Sequence, residues 1–176
     1  MIINYNVKEV MNLYNTGDRV VFPNQGVGII DAIESREFKD TMQDYYDIHL
    51  INSTLKLMLP CNRMETSNAR LVSDSQTLDK YLNNFDYFLC NGCHSTNIDS
   101  KQRIKDNRSK LSSGTLKDYV EVIIELTHIQ NDSKLNSSEK QILNNARKIL
   151  VDEISLSKNL TTIEATSLLD NSLATI

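Results

Sequence analysis

The sharpest local grouping of reactive side chains is Cys90-Asn91-Gly92-Cys93-His94. Two thiols followed by an imidazole fit covalent haem attachment, and two Cys with one His supply three of the four ligands of a structural zinc. The rest of the sequence completes neither chemistry. Haem attachment requires export, and Met1-Ile2-Ile3-Asn4-Tyr5-Asn6 lacks the basic start and apolar run of a signal peptide. A fourth zinc ligand would have to come from Cys61 or His49, both in what reads as a different domain. The motif is therefore expected in a loop after a helix, with a thiol- or metal-responsive switch as the lesser alternative. Gly26 and Gly28 punctuate a turn, but no helix follows and no Lys-Ser/Thr completes a phosphate loop. Asp18 reads as a turn residue, and His128 stands alone in a helical stretch. With no Ser-His-Asp set, paired carboxylates or nucleotide fingerprint in a fitting context, an enzyme is not expected, nor a metal or a cofactor.

A second grouping is electrostatic. Lys101, Arg103, Lys105, Arg108 and Lys110 are opposed only by Asp106, so residues 101–110 carry 5 − 1 = +4 in a chain of net charge -4. Such a window suits contact with nucleic-acid phosphates, the plain alternative being the solvated face of a helix. Lys140, Arg147 and Lys148 form a thinner second group. The overall charge excludes a protein built to coat DNA.

These residues must be positioned by two differently patterned halves. Up to Asp74 the pattern alternates. Val20-Val21-Phe22, Val27–Ile33, Tyr45–Leu50 and Leu55–Leu59 are short β-rich runs separated by turns such as Pro23-Asn24-Gln25-Gly26. In the last run Leu55, Leu57 and Leu59 should face the core, leaving Lys56 and Met58 to solvent or a partner. From Asp74 onward the spacing is helical. One helix is predicted through Leu78, Tyr81, Leu82, Phe85, Phe88 and Leu89 with Ser75 as a possible N-cap. A second spans roughly 98–112 and stops at Gly114. Further helices follow Thr115 and Ser137, and a last one opens on the capping box Thr161-Thr162-Ile163-Glu164. Residues 1–16 precede the first strand, with Val7, Val10, Met11 and Tyr14 on one face of a short helix. The predicted organisation is an α+β chain. It has an extension (1–16), a small antiparallel β-barrel of SH3/Tudor-like form (17–74) and an all-α helical bundle (75–176). An odd count of three cysteines points to a reduced, cytoplasmic protein rather than a secreted disulfide scaffold, and no run approaches the ~18 apolar residues of a membrane span.

The run Gly17-Asp18-Arg19-Val20-Val21-Phe22-Pro23-Asn24-Gln25-Gly26-Val27-Gly28, with Ile33-Glu34, Leu57-Met58-Leu59-Pro60 and Leu71-Val72, resembles the RNA-polymerase-interacting domain of the CarD/CdnL family, shared with transcription-repair coupling factors. Lys110-Leu111-Ser112-Ser113-Gly114 and the stretch from Ser138 to Leu150 resemble that family's C-terminal domain. The resemblance runs from about 17 to 170. It implies a cytoplasmic regulator, nucleoid-associated through RNA polymerase, whose barrel binds the β subunit of RNA polymerase and whose helical domain stabilises the open promoter complex at the upstream edge of the bubble. It also implies a tryptophan wedged into the minor groove, with Lys and Arg holding phosphates. Tethering to polymerase lets a mildly acidic protein work at DNA with weak affinity of its own. A monomer is expected.

The chain departs from the pattern at important positions. It contains no tryptophan. An ungapped alignment on the Lys-Leu-Ser-Ser-Gly motif puts Ser100 at the wedge, and a two-residue shift puts Ile98 there. An aliphatic side chain can still intercalate, whereas serine cannot. The wedge is thus either lost or replaced. Loss would leave an adaptor that binds polymerase without wedging DNA. Arg36 matches a polymerase-facing arginine of the family. Met58 stands where a second basic residue is common, with Lys56 on the same strand face to compensate. The candidate residues are therefore Arg36, Lys56 and Met58 for polymerase, and Ile98, Ser100, Lys101, Arg103, Lys105, Arg108, Lys140, Arg147 and Lys148 for DNA.

Overall fold

The computed structural model describes residues 13–92 and 99–174, with the side chains of 89–92 outside the description. The first half forms five antiparallel strands, β1 (Arg19–Phe22), β2 (Gly26–Phe38), β3 (Thr41–Leu50), β4 (Lys56–Pro60) and β5 (Arg70–Leu71), in the order β4-β3-β2-β1-β5. The alternation works as expected on β3, where Tyr46, Ile48 and Leu50 are buried. Tyr46 and Ile48 pack with Val20, Phe22, Ile30, Tyr14 and Met64 into a small core. Gly28 is required by proximity, since a Cβ there would lie 2.8 Å from the His49 carbonyl oxygen.

The expected barrel is instead an open sheet, with β4 and β5 at opposite edges. Two single-turn 3₁₀ helices, Cys61–Arg63 and Glu65–Ser67, carry the chain from β4 and return β5 to β1 rather than to β4. The β2–β3 hairpin also runs longer than the sequence suggested. It turns at Lys39 and Asp40, both left-handed, the backbone form of a tight two-residue hairpin. Leu55, placed on the core face from the sequence, precedes β4 and is exposed.

The second half consists of α1 (Ser75–Leu82), α2 (Phe85–Gly92), α3 (Ser100–Ser113), α4 (Leu116–Asp132), α5 (Ser137–Lys158) and α6 (Thr162–Leu173). The single first helix expected from periodicity is two, broken at Asn83 and Asn84, where the Asn84 amide donates to the Lys80 carbonyl at 2.6 Å. Its N-cap is Asp74, whose carboxylate accepts the Thr77 N–H, not Ser75. Ser137 likewise lies inside α5, which begins with a capping box between Asn136 and Glu139. The Thr161–Glu164 box and the left-handed Gly114 stand as read.

One apolar core runs through the helices and takes in Val21 and Val27 from the sheet. Polar contacts fix the joint. Arg70, beside β1, forms a two-pronged ion pair with the buried Glu153 of α5, and its Nε donates to the Gly114 carbonyl at 2.6 Å. The Ser73 N–H donates to the same Glu153 carboxylate. Across the joint, the Asn68 amide donates to the Ser112 carbonyl at 2.9 Å and the Asn24 N–H to the Tyr119 hydroxyl at 3.3 Å. A Cβ on Gly114 would lie 2.6 Å from the Asn68 carbonyl oxygen and 2.7 Å from Pro23 Cγ. The two motifs that carried the family resemblance, one in each half, therefore touch.

Candidate functional site

On β3 the residues that alternate with the core, Tyr45, Asp47 and His49, point outward. Their register partners are Glu34, Ala32 and Ile29 on β2 and Pro60, Met58 and Lys56 on β4. Arg36 lies opposite Gln43, two pairs along from Glu34, on the same outward face. Arg36, Lys56 and Met58 thus share one exposed surface around Asp47. The Arg36 guanidinium reaches Glu34 at 2.8 Å and Asp47 at 3.3 Å, held in a solvated network rather than buried. Met58 is 49% exposed, large for an apolar side chain on a strand. β4 is also an edge, so one side of its backbone has no ladder partner among the described residues. Beside it lies a recess of about 260 Å³ lined by Phe22, Pro23, Leu57, Met58 and Leu59.

The basic window divides by helical phase. Lys101, Lys105 and Arg108 recur at four and three residues and form one exposed stripe on α3, none of them ion-paired among the described residues. Arg103 lies on the opposite side. Its Nε donates to Glu139 of α5 at 2.8 Å and the ion pair is almost fully buried, so this side chain ties α3 to α5. Lys110 turns inward too, toward Glu121 at 3.2 Å. Burial pushes the neighbouring Glu125 carboxyl above the usual range, partly offset by the Lys110 charge. Two of the five cations in the apparent basic patch, Arg103 and Lys110, are therefore internal wiring, a distinction that charge counting cannot make.

Of the thinner group, Arg147 is paired with Asp170 and joins α5 to α6. Lys148 is exposed and lines a groove of about 690 Å³ together with Arg108. Lys140 is exposed but borders a separate recess at the α4–α5 turn, with Lys134. Ser100 opens α3 behind Asp99. Ile98, Cys93 and His94 lie outside the described residues, as do Val7, Val10 and Met11 of the expected N-terminal helix. Among the described residues no group of His, Cys, Asp and Glu assembles to hold a metal, and no described helix is long and apolar enough to cross a membrane.

Sequence reasoning missed the joint. Neither Arg70 nor Glu153 is among the candidate residues read from the sequence. The available signal was Glu153 itself, an acid amid the apolar run Ile149-Leu150-Val151 and Ile154 on α5. Asn24 read only as a turn former, although its amide faces Ser112 across the joint at 3.4 Å.

Comparison with known proteins agrees with both halves. Residues 14–72 match the family model described as CarD-like/TRCF RID domain, and residues 87–170 match the one described as CarD, C-terminal domain. A relative from Bacillus subtilis (strain 168), named "Putative transcription factor YdeB", is 34% identical over 149 residues, covering 85% of this chain and 95% of the relative. The open sheet with its outward Arg36–Met58 face falls within the first match, and the second covers α3, α4 and α5 with most of α2 and α6, the exposed basic stripe of α3 included. The chain belongs to the CarD-like family of transcription regulators, with the family's RNA-polymerase-interaction domain in its sheet and its C-terminal domain in its helices.

Proposed function

We propose that this protein docks on the β subunit of RNA polymerase through the outward face and free edge of β4, and brings its helical half to promoter DNA at the upstream edge of the bubble, where it modulates open-complex stability. The observation that carries this reading is the convergence of Arg36, Lys56 and Met58 on one exposed face beside an unpaired strand edge. An edge strand can extend its ladder into a partner strand, with main-chain hydrogen bonds giving affinity and alternate side chains giving specificity. The exposed Met58 supplies apolar contact, and Arg36 and Lys56 supply charge for an acidic surface.

On the DNA side, Lys101, Lys105 and Arg108 on α3 and Lys148 across the groove are exposed cations that could meet phosphates, Lys148 with Asp152 of its own helix nearby. Ser100 has no apolar plate to insert, so fork stabilisation by a wedge at that position is not expected. The absence of tryptophan favours a second reading, an adaptor that binds polymerase without engaging DNA.

Binding of the full chain to the isolated β-subunit lobe, followed by Arg36→Glu, tests the docking. The charge reversal should weaken binding by about 1–3 kcal/mol, and Met58→Asp should do so independently. Wild-type affinity unchanged by both substitutions would overturn the docking face. Open-complex lifetime with Lys101, Lys105 and Arg108 changed together to Ala then separates the readings. A lifetime effect of the native protein that the triple variant loses supports DNA engagement. Polymerase binding with unchanged promoter footprints supports the adaptor.

A further inference from the structure

The groove shared by Arg108 and Lys148 is built from three elements: the exposed stripe of α3, one wall of α5 and the β1–β2 turn, which contributes Asn24. Leu111 and Ile142 form its apolar floor. Gln141, Asn144 and Asn145 line the α5 wall, and no carboxylate is among the lining residues. Such a combination is unusual on a chain of net charge -4.

We propose that this groove seats a phosphodiester backbone strand of DNA, with Arg108 and Lys148 on phosphates and the amides of Asn24, Gln141 and Asn144 hydrogen-bonding to the strand. The inference rests on the reading that the helical half meets promoter DNA. It adds that the sheet half takes part through Asn24, and that grip in a polar groove stands where the family resemblance had a wedge.

Three features favour a polymer backbone over a small anion. First, Lys101 and Lys105 extend the cationic stripe past the groove; Lys101 to Arg108 is seven residues, about 10 Å of helix rise. A DNA strand presents a phosphate roughly every 3.4 Å along its axis, so the stripe is long enough to run beside about three phosphate steps, whereas a single anion needs one point. Second, Asn and Gln amides both donate and accept, which suits a strand carrying phosphate, sugar and base-edge groups. Third, the apolar floor under charged rims suits sugar faces, which a fully hydrated inorganic anion does not offer.

The test is titration of the ¹⁵N-labelled full chain with a short DNA duplex, following the side-chain NH₂ resonances of Asn24, Gln141 and Asn144. These should shift together. Arg108→Gln with Lys148→Gln should weaken binding about tenfold or more and lower the slope of log affinity against log salt by about 1–2. Lys117→Gln with Lys134→Gln, an equal charge change elsewhere, should leave both unchanged. Asn24→Gly keeps the left-handed backbone and should weaken DNA binding several-fold while leaving affinity for the polymerase lobe intact. Equal losses in the two charge pairs, or shifts confined to the lysines, would overturn the groove as the site. Saturation of the same amides by inorganic phosphate or a mononucleotide, with DNA no tighter, would do the same. A wild-type chain without DNA affinity, alone or on polymerase, would remove the underlying reading; wild-type binding matched by the groove variants would remove only this inference.

Discussion

Replacing Arg70 with Met should loosen the joint between the halves more than any other single change to a charged residue. Glu153 is 1% exposed. Its carboxylate accepts from Arg70 at 2.5 and 2.8 Å and from the Ser73 N–H at 2.9 Å. Without the guanidinium a buried carboxylate keeps one hydrogen bond and no counter-charge, and breaking such a pair from one side costs about 3–5 kcal/mol. The Gly114 carbonyl also loses its Nε donor, about 1 kcal/mol more. Against the 5–15 kcal/mol typical of a folded domain, that is a large share. Glu153→Gln should cost less, because Arg70 is partly exposed and water can solvate it. The double variant Arg70→Met with Glu153→Met removes both charges and should recover most of the loss, as replacing a buried pair with apolar groups is often close to neutral. Urea unfolding followed by far-UV circular dichroism measures all three. An Arg70→Met chain within about 1 kcal/mol of wild type, or a double variant showing the summed loss of the singles, would refute the claim that this ion pair holds the joint.

Other consequences are open to measurement. Gly114→Ala forces a Cβ into a left-handed residue, about 1–2 kcal/mol, and into the Asn68 carbonyl and Pro23, so a midpoint shift worth about 2–4 kcal/mol in total is expected by urea unfolding. Asn136→Ala removes the α5 capping box and should cost about 1 kcal/mol by the same measurement. Burial raises the Asp152 carboxyl above its ordinary range, against the pull of the Asn52 amide. A raised carboxyl takes up protons on folding, so its charged form opposes folding at neutral pH and the penalty fades as pH falls through the folded-state value. Asp152→Asn should therefore stabilise the chain at pH 7, with the gain shrinking on acidification. A gain that grows toward acid pH would reverse the sign of that argument.

The sequence made the helices legible because local signals and packing agree there. Thr115, Thr161 and Gly114 terminate helices by chemistry that needs no distant partner, and α4 and α5 each carry a full apolar stripe. Strand ends were harder. Beyond Ile33 both faces of β2 meet solvent, so Glu34–Phe38 shows no alternation, and the Lys39–Asp40 turn lacks the glycine that marks such hairpins. The barrel failed for a different reason: alternation reports which face is buried, not whether β4 and β5 meet at a seam. For the candidate site, the shared outward face of Lys56 and Met58, proposed for polymerase, was legible because a strand's period of two places them together. Which cations of the set proposed for DNA stay exposed was not legible, since Arg103 and Arg147 are set apart from Lys101 and Lys105 by the acids that pair with them across a helix interface. Glu139 and Asp170 are 36 and 23 residues away from them in sequence.

The joint gives the two surfaces a common logic. A regulator with weak DNA affinity works only if its polymerase anchor delivers the DNA-facing side at high effective concentration, and that gain vanishes if the geometry between the sites is not held. A flexible linker would spread the helical half over many orientations. Here only Val72, Ser73 and Asp74 separate β5 from α1, the helical core takes in Val21 and Val27 of the sheet, and Arg70–Glu153 clamps the seam. The turn that bears Pro23 and Asn24 then has two tasks: Pro23 packs against Gly114, and Asn24 reaches the groove. Loosening the clamp should therefore impair action at promoters while sparing affinity for the isolated polymerase lobe, because the β4 face lies on the sheet and does not depend on where the helices point. An Arg70→Met chain that binds the lobe normally yet loses its effect on open-complex lifetime, at a temperature where both halves stay folded, would show that orientation carries the function. Unchanged promoter activity in that chain would mean that docking alone suffices.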